Sequence, residues 1–93
     1  MFVLHVVIKV KPGREGDAQG VFGGPFKQAI SAQPGFKRVE FLKPVDGGEY
    51  VLAISFENQA HQQKWVATDL HTQVWSRMEA NFEGYTIKAY NSI

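Results

Sequence analysis

The run FVLHVVIKV at positions 2–10 carries apolar residues on both of its faces, which sets it apart from a strand with one side in water. Phe2, Leu4, Val6, Ile8 and Val10 fall on one side, and Val3, His5, Val7 and Lys9 on the other. EYVLAISFE at 49–57 repeats the pattern, with Tyr50, Leu52, Ile54 and Phe56 opposed by Val51, Ala53 and Ser55. The larger sets are assigned to a layer of helices. The smaller, mixed sets then form a second face too apolar for solvent. A face of this kind, about several hundred Å2, marks an interaction surface, and its simplest cover is a second copy of the chain brought in by two-fold symmetry. A homodimer is expected, with His5 in its interface.

The remaining segments follow from their own spacing. Phe22, Phe26, Ala29 and Ile30 recur at helical intervals, which predicts a helix from about 15 to 32. Gly16, Gly20, Gly23 and Gly24 each weaken it by about 1 kcal/mol relative to alanine, and Pro25 suits the first position of a new turn. A break or loose segment is therefore expected near 23–25. Pro34-Gly35 reads as a turn, FKRVEFLK (36–43) as a half-polar strand, and PVDGG (44–48) as a hairpin loop into 49–57. Asn58 is placed to cap a short helix through about Trp65, and Thr68 to cap the next, with Asp69 at its positive end. Leu70, Val74, Met78 and Phe82 form the apolar stripe of that helix. Gly84 is expected to stop it, and YTIKAYN (85–91) to form the last strand. The order predicts an α+β, ferredoxin-like split βαβ sandwich: a four-stranded antiparallel sheet with helices on one face, in one domain spanning 1–93.

Composition removes several function classes. The chain has 93 residues and no cysteine, so disulfides and thiolate metal sites are excluded. A net charge of +1, with basic residues scattered along the chain, provides no field for nucleic acid or an anionic membrane. No apolar run approaches the roughly 20 residues of a membrane span. The opening MFVLHVVIKV has no basic residue before its apolar run and no small-residue cleavage site, so it reads as a strand rather than a signal peptide. A soluble cytoplasmic protein is expected. Phosphate-binding loop, nucleophile-elbow and dinucleotide signatures are absent, since Gly23-Gly24 precedes a proline and follows no strand.

The chemistry-bearing stretch is HQQKWVATDLHTQVW (61–75), where His61 precedes Trp65, and His71 precedes Trp75, each by one helical turn. The histidines lack a carboxylate pair at ligand spacing, so no metal motif is present. His71 adjoins the apolar stripe, and a group with an ordinary pKa near 6.5 suits general-base work. His61 is the second candidate base. Trp65 has a face on which a flat ring can stack. Tyr50 and Tyr85 carry hydroxyls able to bond a substrate oxygen, and Val6, Ile54 and Phe56 would make an apolar lining. Trp75 reads as core or dimer contact.

From FVLHVVIKVKPG through QPGF (33–36) to SFENQAHQQKW (55–65) and HTQVW (71–75), the chain resembles the antibiotic biosynthesis monooxygenase domain family. The resemblance implies a dimeric α+β barrel with a pocket between helices and sheet, and it places Trp65 at a pocket-lining tryptophan. It also implies oxidation of a small electron-rich aromatic, a quinol or anthrone-like ring, by dioxygen without metal or flavin. The family position one turn before that tryptophan, an Asn in a polyketide-oxidising member, is His61 here. The haem-degrading branch requires an Asn on the first strand and a His ten residues past the tryptophan, where this chain has Val6 and Trp75. The alternatives on the same fold are an isomerase, a signal-molecule processing enzyme, or a dimeric binding module without chemistry.

Overall fold

The computed structural model describes residues 1–93. Strand β1 (Phe2–Val10) leads through a turn into α1 (Glu15–Val21), a π-helical turn (Phe22–Phe26) and α2 (Lys27–Ser31). Strands β2 (Phe36–Leu42) and β3 (Tyr50–Phe56) form a hairpin, followed by α3 (Gln59–Val66), α4 (Asp69–Glu79) and β4 (Phe82–Asn91). The sheet is antiparallel throughout, in the order β2-β3-β1-β4. This is the α+β, ferredoxin-like arrangement that the pattern of apolar runs predicts.

The two faces of β1 and β3 separate as their alternation requires. Val6, Ile8, Leu52 and Phe56 are buried under the helices, joined by Phe26, Ile30, Val74 and Met78. Burial of each such side chain contributes about 1.5–3 kcal/mol. On the opposite face Val3, His5, Val7, Val51 and Ala53 are only partly covered. Leu42 and Tyr90 flank them, exposed at the two outer strands. His5 packs edge-on against Tyr90, with ring centroids 5.1 Å apart.

Two boundaries differ from expectation. The first helix does not break at 23–25. It widens by one residue per turn, with the Lys27 amide donating to the Phe22 carbonyl. The wider turn accommodates Pro25, whose missing N–H and bulky ring disrupt an α-helical turn. Phe22 and Phe26 stay on one side, their rings stacked at 6.2 Å. The last helix ends at Glu79, well before Gly84, and Phe82 already belongs to β4. Asn81 explains the early stop. Its amide donates to the Met78 carbonyl, its side chain donates to the Arg77 carbonyl, and its side-chain oxygen accepts from Arg14. Its carbonyl accepts from the Lys11 amide, tying the end of α4 to the end of β1. Gly84 instead lies opposite Lys9, where the β1–β4 register shifts.

Candidate functional site

The helical pair α3–α4 is set by two caps of the same design. The Asn58 side chain accepts from the His61 amide at 3.0 Å, and the Thr68 hydroxyl accepts from the His71 amide at 3.1 Å. Each histidine therefore occupies the third position of its helix. Thr68 also donates to the Trp65 carbonyl at 2.8 Å. One hydroxyl thus joins the end of α3 to the start of α4 and holds Trp65 and His71 in fixed relation.

That relation builds a cavity of about 310 Å3 between helices and sheet. Leu4 and Val6 of β1, Ile54 of β3, and Tyr85 and Ile87 of β4 form its floor. Gln62, Trp65 and Val66 of α3 and His71 and Trp75 of α4 form its roof, and Phe26 closes the back. Trp65 is buried, whereas Val66, Tyr85 and Ile87 are exposed and mark the mouth. The edge of the His71 ring meets Trp65 at 5.1 Å and 90°, and its face lies nearly parallel to Trp75, with centroids 6.4 Å apart. Trp75 in turn packs edge-on against Tyr85 at 5.3 Å.

The electrostatics follow from this packing. Burial lowers the pKa of His71 below its ordinary 6.5, because the charged imidazolium loses water. No acidic side chain lines the cavity to hold the proton. Neutral imidazole, the form that accepts a proton, is therefore favoured at neutral pH. Gln62, Tyr85, Trp65 and Trp75 are the other lining residues whose side chains carry a polar atom. No group of three or more His, Cys, Asp or Glu side chains is placed to hold a metal ion.

His71, Trp65, Val6, Ile54 and Tyr85, all singled out from the sequence, come together here. Three others do not. His61 lies against the backbone of Gly35, away from the cavity: a Cβ at Gly35 would stand 2.6 Å from the ring Cδ2 and 2.8 Å from the Cβ of His61. Tyr50 is buried beside Phe41 at 5.1 Å and accepts a long hydrogen bond from Gln19. Phe56 is fully buried against Phe36, with rings 6.0 Å apart. Both occupy the helix side of β3, as alternation requires, but Tyr50 and Phe56 stand at its two ends while the cavity lies over its middle. Sequence reasoning also missed lining residues. Trp75, read as core or dimer contact, lines the cavity one turn from His71. Gln62 precedes Trp65 by three residues on the same helix face, and Ile87 follows Tyr85 by two on the same strand face. Those spacings were the available signals.

A family model described as antibiotic biosynthesis monooxygenase matches residues 1–77. Solved structures share the fold along the whole chain. A protein of Nitrosomonas europaea assigned by name to the same family superposes with a TM-score of 0.85 at 18% identity, covering 100% of this chain and 99% of its own. A variant of SnoaB, a cofactor-independent oxygenase from Streptomyces nogalater, gives 0.87 at 15%, covering 98% and 91%. A variant of MhuD holding two manganese protoporphyrin IX molecules per active site gives 0.78 at 19%, covering 100% and 95%. At these identities the likeness is one of fold. No curated protein matches the sequence.

Proposed function

Because the chain belongs to the antibiotic biosynthesis monooxygenase family, we propose that it is a cofactor-independent monooxygenase acting on a small electron-rich aromatic such as a hydroquinone. The observation that carries the proposal is His71, wedged between Trp65 and Trp75 at the wall of an apolar cavity. The aromatic ring lies in the cavity against the indoles, held by dispersion and quadrupole attraction. His71 takes a phenolic proton, and the resulting anion passes one electron to dioxygen far more readily than the neutral phenol. The substrate radical and superoxide join at a ring carbon to give a peroxide. Loss of water from that peroxide leaves a hydroxyquinone, so quinol plus dioxygen yields hydroxyquinone plus water. Val6, Ile54 and Phe26 exclude bulk water from the reacting pair, and Gln62 and Tyr85, which line the same cavity, hydrogen-bond the anion and the peroxide.

The proposal includes a homodimer formed through the open sheet face, where Val3, Val7, Val51 and Ala53 are incompletely covered and Leu42 and Tyr90 are exposed. Light scattering at micromolar concentration should return twice the chain mass; the mass of a single chain would remove this part.

The chemistry is tested by incubating a panel of hydroquinones with the protein in air and under argon. Oxygen-dependent consumption, reduced about 100- to 10,000-fold in His71→Phe, is expected for loss of a general base. Equal, background consumption under both atmospheres would refute the proposal. Turnover under argon would instead indicate proton transfer alone, as in an isomerase.

A further inference from the structure

We infer that the substrate carries an apolar substituent that leaves the cavity through its mouth and lies across a collar formed by Val66, Tyr85 and Ile87. The inference deepens the proposed function and rests on it for the identity of the ring. Three observations carry it. The cavity, at about 310 Å3, stands at the lower end of the range for small-molecule sites; since about 150 Å3 suffices for benzene, a ring and a few further carbons fill it and any longer apolar portion must extend outward. The mouth is not polar: Val66 is 43% exposed, Tyr85 37% and Ile87 57%, three of the chain's exposed large hydrophobic residues at one opening. Strand β4 carries the line onward, since Ala89 follows Ile87 on the same face and is also exposed.

This collar lies on the helix side of the sheet. The face proposed to meet a second copy is the opposite one, where Val3, Val7, Val51 and Ala53 stand. Pairing through that face leaves the collar free. An apolar rim continuous with an apolar cavity suits an alkyl chain attached to the bound ring, whereas a charged or sugar substituent would meet two aliphatic side chains, Val66 and Ile87, and a single hydroxyl, that of Tyr85. The collar would then set substrate choice by hydrophobic contact, separately from the proton transfer at His71.

The test is a titration of the protein with hydroquinone and its n-alkyl derivatives up to octyl, each kept below its aggregation concentration. Quenching of Trp65 and Trp75, the chain's only tryptophans, reports binding without requiring turnover. A fully buried methylene strengthens binding about four-fold; lying on a one-sided collar it should contribute about two-fold, so affinity should rise on the order of a few hundred-fold across the series. In Ile87→Ser and in Val66→Ser the ratio of octyl to unsubstituted affinity should fall at least several-fold. Val45→Ser, altered at a 98% exposed position in the hairpin loop, should keep the wild-type ratio. Retained circular dichroism of the variants confirms folding, and Ile87→Leu should restore the ratio if the side chain acts by contact. Affinity independent of chain length, or an equal dependence in wild type and both collar variants, overturns the inference. Oxygen consumption measured on the same series separates it from the reading beneath it: chain-length-dependent quenching without oxygen uptake upholds the collar and refutes the oxygenase, while oxygen uptake indifferent to chain length and to the collar variants does the reverse.

Discussion

Gly35→Ala, alone and combined with His61→Ala, tests whether His61 is a packing wedge. Gly35 has a φ of +77°, a conformation that costs a residue with a Cβ about 1–2 kcal/mol. The added methyl would also stand 2.6 Å from Cδ2 and 2.8 Å from Cβ of His61, and nearer still to Cγ. The Cβ is fixed to the α3 backbone, so no rotamer change can clear it, and overpacking of this kind costs about 1–3 kcal/mol more. The same turn is tied down by the Glu57 amide, which donates to the Gly35 carbonyl at 2.7 Å, so the backbone cannot move aside freely. The single variant should therefore lose about 2–5 kcal/mol. In the His61→Ala background the clashes with the imidazole ring disappear and only the 2.8 Å approach to Cβ remains, so Gly35→Ala should cost less than in the wild type, by a coupling of about 1–2 kcal/mol between the sites. Urea denaturation of the four proteins measures it directly. Additive losses would refute the reasoning and leave His61 without the structural task assigned to it.

Three further perturbations follow from the site and its supports. With the pKa of His71 lowered by burial, the acid limb of kcat/KM should lie below pH 6.5 and be lost in His71→Phe. The same shift affects stability: as pH falls below 6.5 the unfolded chain takes up a proton that the buried imidazole resists, so wild type should lose stability relative to His71→Phe, with no such difference above that pH. Thr68→Val removes both the helix cap and the bond to the Trp65 carbonyl; a stability loss of about 1 kcal/mol should accompany a larger loss of turnover and an altered near-UV dichroism. Asn81→Ala strips a buried side chain of its bonds to Arg77 and Arg14 and should cost about 1–3 kcal/mol in urea unfolding, with ring binding unchanged.

The strand layer was legible because alternation is local: Phe2 to Val10 and Tyr50 to Phe56 declare their two faces without reference to the rest of the chain. The caps were legible for the same reason, Asn58 and Thr68 each preceding a helix by one residue. What local spacing does not convey is where along a strand a helix docks. Tyr50 and Phe56 share a face with Ile54, yet only Ile54 lies beneath the gap between α3 and α4. His61 and His71 hold the same position in their helices, and only the crossing of those helices separates a wedge on Gly35 from a wall of the cavity. The π-helical turn at Phe22–Phe26 answers a conflict between Pro25 and an otherwise helical apolar pattern, and tertiary packing of Phe26 against Trp65 and Trp75 resolves it in favour of continuity.

The most direct measurement is the stoichiometry of oxygen during single-enzyme turnover of a hydroquinone, with peroxide assayed in parallel. Incorporation chemistry in a water-excluding cavity based on His71 requires one dioxygen per quinol, hydroxyquinone as product and no free hydrogen peroxide, so added catalase should return no oxygen. Formation of the simple quinone with release of an equivalent of peroxide, unaffected by His71→Phe, would contradict the account.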